Sequence, residues 1–123
     1  MVSGVAGRYA TALYELAREA KSVNAVAADL NLFDAMVSGN PDMQRFVRSP
    51  VFSSEEQVAA LGPILRAAGI KGLAANFLQL VAAKRRLFAV HDMVRAYRAM
   101  VDQADGVVRA HELWDAHLRH HLH

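Results

Sequence analysis

The side chains most suited to chemistry in this sequence are its histidines, and five of the six lie between residues 111 and 123. His117 and His121 stand four residues apart, so a helix would place both on one face, where they could chelate a metal ion. The sequence contains no cysteine, and no framework of carboxylates accompanies the histidines. This pattern favours adventitious binding of nickel or zinc over a physiological metal site.

The other candidates for catalysis are weaker still. His91 and Asp92 are adjacent, and neighbours on a helix point about 100° apart, so they cannot orient one another as a catalytic dyad does. We expect them to be a surface pair. Gly4 and Gly7 lack the lysine and the surrounding pattern of a phosphate-binding loop. We therefore predict no enzyme activity, no cofactor and no metal.

The composition indicates a single folded domain without a polybasic surface. Of the 123 residues, 54% are hydrophobic and 21% are charged, so disorder is not expected. Fourteen Lys and Arg residues against twelve Asp and Glu residues leave a net charge of only +2. No apolar run approaches the length of a membrane span, and the N-terminus does not resemble a signal peptide. We expect an intracellular, soluble protein.

The apolar residues recur at helical spacing throughout, and no stretch alternates like a strand. The spacing predicts an all-α fold of six helices, over about residues 5–21, 23–37, 41–48, 54–68, 72–85 and 87–104. Because the intervening loops are short, neighbouring helices should pack antiparallel in a compact six-helix bundle.

Local signals predict several helix ends. Ser22 is expected to cap the second helix, and Ser53 with Glu56 has the spacing of a capping box at the start of the fourth. Gly69 is a plausible stop for the fourth helix. Pro63 lies inside that helix, where a proline costs about 3 kcal/mol, so we expect a kink or a break near Gly62.

The first and fifth helices are apolar around too much of their circumference. In the first, apolar residues fill an arc of roughly 200°, whereas a helix on one core needs only about 100° or somewhat more. The fifth has only a narrow polar strip. The two helices could bury each other, or they could flank an exposed groove for a partner helix. The pattern alone does not choose between these.

Several segments in order resemble the N-terminal domain of the delta subunit of bacterial rotary ATP synthases, called the oligomycin-sensitivity-conferring protein in mitochondria. The resemblance covers about residues 5–110 at family spacing. Its segments are GRYATALYELA (7–17), the 29–33 region, FVRSP (46–50), NFLQLVAAKRRL (76–87), the Tyr97 region and Gly106-Val107-Val108.

The resemblance implies a non-catalytic adaptor of the synthase stator, peripheral to the cytoplasmic face of the bacterial cell membrane. It implies that the first and fifth helices hold the amphipathic N-terminal helix of an alpha subunit in a groove at the top of the catalytic head. Carried over by position, the candidate groove residues are Tyr9, Ala12, Leu13, Phe77, Leu80 and Lys84.

The end of the chain departs from the family pattern. Members of the family continue into a C-terminal domain that contacts the b subunits of the stalk, whereas residues 111–123 do not resemble that continuation. We therefore divide the chain into a six-helix domain, residues 1–106, and a segment 107–123 that combines a truncated linker with a short foreign tail of the kind added for expression. Contact with the b subunits would then be absent.

Two alternative functions remain open, an RNA-binding protein and a homodimer. Lys84, Arg85 and Arg86, with Arg95 and Arg98, form the only basic cluster, which would suit an all-helical RNA-binding protein of the antitermination-factor kind. A basic cluster at a helix C-terminus also compensates the helix dipole, and we favour that interpretation, with no nucleic acid bound. The surplus apolar faces could instead meet in a homodimer.

Overall fold

A computed structural model describes residues 4–104 of the chain, in which helices are joined by short turns and no strand is present. The helices are α1 (Gly4–Glu19), α2 (Val23–Ser38), α3 (Pro41–Arg48), α4 (Ser54–Ala68), α5 (Gly72–Ala83) and α6 (90–104), the last preceded by a 3₁₀ turn at Leu87–Ala89. The predicted all-α six-helix bundle is confirmed. The proposed boundary at residue 106 and the histidine-rich tail lie outside the described residues.

The junction between α1 and α2 differs from the prediction. Ser22 precedes α2, but its side chain makes no capping hydrogen bond, and its Oγ is buried without a partner among the described residues. The reason lies in how α1 ends: the Ser22 N–H donates to Ala17 O at 2.8 Å while Lys21 adopts a left-handed φ of 54°. This closure holds Ser22 away from the extended conformation that a capping serine needs.

Side chains cap the N-termini of both α3 and α4. Asn40 Oδ1 accepts from the backbone N–H groups of Asp42 and Met43 at the start of α3. At the start of α4, Ser53 Oγ accepts from Glu56 N at 3.1 Å, and Glu56 Oε1 accepts from Ser53 N at 2.9 Å. The predicted capping box is therefore confirmed, and it satisfies two backbone donors that the helix itself leaves unpaired.

Pro63 does not break α4, which is continuous from Ser54 to Ala68. A side chain of α5 assists the helix at this point. With its amide oriented to satisfy both groups, Gln79 donates to Val58 O at 3.3 Å and accepts from Gly62 N at 3.2 Å. Val58 and Gly62 are an i, i+4 pair one residue before the proline. The amide thus gives both backbone groups a partner where Pro63 disturbs the helix.

The turns after α4 and α5 close in the same way. Gly69, the predicted stop, adopts a φ of 76°, and the Ile70 N–H donates to Leu65 O at 2.9 Å. After α5 the left-handed position is taken by Arg85, with a φ of 58°, and the Arg86 N–H donates to Val81 O at 3.0 Å. Helix α5 therefore ends at Ala83, two residues before the predicted boundary.

The core is organised around α5, which contacts α1, α2 and α4 and the 3₁₀ turn. Its buried side chains point in several directions; they are Ala74, Phe77, Leu78, Val81 and Ala82. Helix α6 closes the bundle through Tyr97, whose side chain is fully buried and whose hydroxyl donates to Val23 O at 2.7 Å. The ring of Tyr97 meets that of Tyr14 edge to face, with centroids 5.8 Å apart.

Replacing the cap of α4 should destabilise the fold measurably. Ser53→Ala removes the hydroxyl that accepts from Glu56 N, so we expect the free energy of unfolding to fall by about 1 kcal/mol in urea denaturation. Ser54→Ala, one residue later and inside the helix, is the matched control and should leave stability nearly unchanged. Equal losses in the two variants would contradict the capping role of Ser53.

Alkaline pH should destabilise the bundle through Tyr97. Burial, with a smaller contribution from neighbouring Tyr14, raises the pKa of Tyr97 to about 12, whereas an unfolded tyrosine ionises near 10. Between these two values the folded state keeps a proton that the unfolded state loses. The contribution of Tyr97 to the free energy of unfolding is therefore complete below about pH 10 and is lost as the pH rises towards 12. Tyr97→Phe should have a lower free energy of unfolding than the unmodified chain at neutral pH. Denaturation at a series of pH values should show this difference in free energy shrinking between about pH 10 and pH 12.

Candidate functional site

An apolar groove opens between α1 and α5 on the surface of the bundle. Tyr9, near the start of α1, contacts Phe77 and lies beneath Arg86, just beyond the end of α5, so the two helices run antiparallel. The groove, here called the α1/α5 groove, has a volume of about 170 Å³. It is lined by Tyr9, Ala12, Leu13, Leu16, Leu73, Asn76, Phe77 and Leu80.

The groove has a buried floor and exposed edges. Leu13 and Phe77 form the floor and are almost inaccessible to solvent. Leu16 on α1 and Leu80 on α5 are 51% and 48% exposed, which is unusual for leucines in a small bundle. Most of the apolar surplus of α1 and α5 is therefore covered by the chain itself, and the uncovered remainder is concentrated along this groove.

Tyr9 is held in place from two sides. Its ring packs edge to face on Phe77, with centroids 6.4 Å apart, and the Arg86 guanidinium lies 5.6 Å from the ring centroid. The first contact uses the positive edge of one ring against the negative face of the other, and the second is a cation–π contact. Tyr9 therefore presents a fixed apolar surface at one end of the groove.

The structure brings together five of the six residues proposed from the sequence. Tyr9, Ala12 and Leu13 of α1 meet Phe77 and Leu80 of α5 along the groove. Lys84 is exposed at the end of α5 and is not among the lining residues, because the helix ends at Ala83 and the backbone turns there.

Three lining residues were missed by the sequence reasoning: Leu16, Leu73 and Asn76. A usable signal was present for the two leucines. Tyr9, Leu13 and Leu16 repeat at i, i+4 and i+7, and Leu73, Phe77 and Leu80 repeat in the same way. Matching stripes of this spacing on two neighbouring helices would have identified both edges.

A second apolar groove, the α2/α4 groove, lies on another face and is larger, about 620 Å³. Leu32 stands at its surface and is 42% exposed. The lining residues are Leu32, Ala35, Met36, Gly39, Asn40, Met43, Ile64, Ala67 and Ala68. It has no aromatic floor, and α5 does not line it, so it provides a natural comparison for the α1/α5 groove.

His91 forms a surface pair, but with a different residue from the one expected. Its Nδ1 lies 2.8 Å from Asp34 Oδ1 on α2, which joins the start of α6 to α2 across the bundle, whereas the predicted partner was Asp92. Among residues 4–104, no group of three or more histidine, aspartate or glutamate side chains is placed to hold a metal ion. His117 and His121 lie outside that range.

The fold and the groove define a class of protein, an all-helical bundle with an open apolar cleft between two antiparallel helices. A family model described as ATP synthase delta (OSCP) subunit matches residues 5–113. A protein named ATP synthase subunit delta from Methylobacterium radiotolerans is 57% identical over 110 residues, which are 89% of this chain and 58% of that protein. Proteins of the same name from Rhodopseudomonas palustris strains TIE-1 and BisA53 are 60% and 62% identical over 109 residues, 89% of this chain and 59% of each relative.

The chain belongs to the ATP synthase delta (OSCP) subunit family. The predicted family is confirmed. The chain spans about three-fifths of the length of the curated relatives it matches. Among residues 4–104, no helix combines the length and the apolar character needed to cross a bilayer.

The floor and the edge of the groove should respond differently to truncation. Phe77→Ala removes a buried ring that also supports Tyr9, so we expect a loss of about 3 to 5 kcal/mol in the free energy of unfolding. Leu80→Ala, on a side chain that is half exposed, should cost about 1 kcal/mol or less. Chemical denaturation measures both, and equal losses would mean that Leu80 belongs to the core.

Proposed function

We propose that this chain is the head-binding part of a static adaptor in a rotary ATP synthase. In this proposal the α1/α5 groove holds the amphipathic N-terminal helix of an alpha subunit at the top of the catalytic head, at the cytoplasmic face of a bacterial membrane. The observation that carries the proposal is an open apolar groove edged by half-exposed leucines in a delta-family chain. Insertion of an amphipathic helix into such a groove is a common recognition mode.

The geometry suits a long-lived complex rather than a reaction. Leu16 and Leu80 would be covered by the guest helix, and Ala12 is small enough to allow close approach of two helices. Because Phe77 and Arg86 already hold Tyr9, little ordering free energy is spent there on binding. A preformed groove of this kind can support nanomolar affinity, about −12 kcal/mol.

The proposed task is mechanical. Rotation of the central shaft exerts torque on the catalytic head, and a static peripheral stalk must resist it. In the proposal the delta subunit ties the stalk to the head, so slow dissociation from the alpha helix is the property that matters. Contact with the b subunits of the stalk would be made by a C-terminal domain beyond the six-helix domain proposed for residues 1–106.

Lys84 fits this proposal as a rim residue. It is exposed at the end of α5, next to Arg86, where its ammonium could meet acidic side chains of a guest helix. The RNA-binding alternative would use the same basic residues. The Arg86 guanidinium is engaged with the ring of Tyr9, so one member of the basic cluster has a structural role within the bundle.

A peptide titration tests the proposal directly. A synthetic peptide with the N-terminal sequence of an alpha subunit should bind without added metal or nucleotide, and NMR should show the largest amide shifts on α1 and α5. Leu80→Asp should weaken binding at least about tenfold, equivalent to about 1.4 kcal/mol, with little change in thermal stability. Leu32→Asp, which places the same charge on a similarly exposed leucine of the α2/α4 groove, is the matched control.

Other outcomes of the titration count against the proposal. Shifts concentrated on the α2/α4 groove would reject the α1/α5 groove as the binding site. Binding of RNA with a steep salt dependence, and no binding of the peptide, would favour the nucleic-acid alternative. Sedimentation that changes with protein concentration would favour the homodimer.

A further inference from the structure

We propose that Asn76 fixes the register of the guest helix in the α1/α5 groove, by requiring one amide or hydroxyl side chain within the otherwise apolar stripe of that helix. This inference rests on the proposed function, since it concerns the same groove and the same guest. It adds a specificity-determining residue and a chemical feature of the partner. Three observations support it: the position of Asn76, the unpaired state of its amide and the repetition of the apolar lining.

Asn76 lies midway along the stripe by which α5 lines the groove. Leu73 precedes it by three residues and Leu80 follows it by four, a spacing that places all three side chains within an arc of about 60°. A guest helix that covers both leucines must therefore pass over the amide between them. Tyr9, the other lining residue with a hydrogen-bonding group, stands at the end of the groove, where a guest can leave its hydroxyl in water.

The amide of Asn76 has no partner within the described part of the bundle. The side chain is exposed, and among residues 4–104 it makes no hydrogen bond to another residue. Gln79, three residues further along α5, offers a contrast, because its amide pairs with the α4 backbone at Val58 and Gly62. The packing of α5 therefore uses one of these two amides and leaves the donor and the acceptor of the other available at the groove.

The apolar lining does not by itself fix where along the groove a guest helix lies. The lining side chains of α1 and of α5 recur every three or four residues. A guest helix with an apolar stripe of the same spacing would bury similar surface after sliding by one turn, about 5.4 Å, because burial of apolar surface has no preferred direction. A hydrogen bond is directional. The Asn76 amide is therefore the group in the lining that distinguishes one register from the next.

The chemistry of the amide determines what the guest must place opposite Asn76. Because the side chain is exposed, water satisfies its N–H and C=O groups in the free chain, and a guest helix displaces that water. An apolar side chain laid over Asn76 would leave both groups unpaired, which should weaken binding roughly tenfold. An amide or hydroxyl side chain both donates and accepts, so it restores the lost bonds in one register only. A single polar residue in the apolar seam of a coiled coil selects register in this way.

Spin labelling measures the register directly. The chain contains no cysteine, so a single cysteine added at one end of the alpha-subunit peptide can carry a nitroxide without cross-reaction. Paramagnetic broadening of the amide signals then marks the part of the groove that this end of the peptide meets. We expect broadening at one end of the groove only, near Tyr9 or near Leu16. Asn76→Leu, which removes the amide but keeps a side chain of similar size, should let the peptide slide and spread the broadening over both ends.

Two control variants separate Asn76 from its surroundings. Asn31→Leu makes the same exchange at an exposed asparagine of α2 that lines neither groove, and it should leave the broadening pattern unchanged. Tyr9→Phe removes the other hydrogen-bonding group of the lining and should also keep the single register. Urea denaturation should show that Asn76→Leu does not lower the free energy of unfolding, as expected for an exposed helical side chain without a partner among residues 4–104.

A double-mutant cycle identifies the side chain of the guest that meets Asn76. Each amide and hydroxyl residue of the peptide is replaced by leucine in turn, and the dissociation constant is measured with the unmodified chain and with Asn76→Leu. One replacement should weaken binding to the unmodified chain about tenfold and should have little effect on binding to Asn76→Leu. The remaining replacements should change the two dissociation constants by equal factors.

The outcomes distinguish this inference from the proposed function. If the peptide binds in the α1/α5 groove but Asn76→Leu leaves the broadening pattern unchanged, or no peptide residue is coupled to Asn76, the register role is overturned and the proposed function stands. Loss of the single register in Tyr9→Phe, and not in Asn76→Leu, would overturn it in favour of the tyrosine hydroxyl. A peptide that does not bind, or that binds only in the α2/α4 groove, would overturn both.

Discussion

The structure depends on one constraint, the need to cover α5. This helix is apolar around most of its circumference, and α1, α2 and α4 each bury part of it. Three neighbours do not close the ring completely, and the strip that contains Asn76 and Leu80 remains accessible between α1 and α4. The groove is this uncovered strip together with the matching stripe on α1. The same packing therefore determines both the core and the candidate site.

The parts of the fold that are fixed by local interactions could be predicted from the sequence. The capping box of Ser53 and Glu56 and the turn at Gly69 depend on residues a few positions apart, and both formed as expected. Ser22 failed as a cap because the end of α1 determines its backbone conformation. Pro63 did not break α4 because Gln79, from another helix, provides partners for the neighbouring backbone groups. The failure of the Ser22 cap and the continuity of α4 at Pro63 therefore depend on residues beyond the few that flank each position in the sequence.

The candidate site was predictable at the level of helices and less so at the level of residues. An excess of apolar surface identified α1 and α5, yet it could not separate buried Leu13 from exposed Leu16, because that depends on where α2, α4 and α6 lie. The pairing of His91 with Asp34 illustrates the same limit, since 57 residues separate the two partners. Lys84 was assigned to the groove from the family pattern, and the turn that ends α5 places it outside the lining.

The amide of Gln79 has a consequence for how force would travel through the bundle. The Gln79 amide hydrogen-bonds to the α4 backbone at Val58 O and Gly62 N. The next residue on α5, Leu80, forms an edge of the α1/α5 groove. Hydrogen bonds are directional, whereas the burial of apolar surface imposes no preferred direction. A force applied to Leu80 would therefore be transmitted to α4 through the two hydrogen bonds of Gln79, which oppose sliding of α5 along α4.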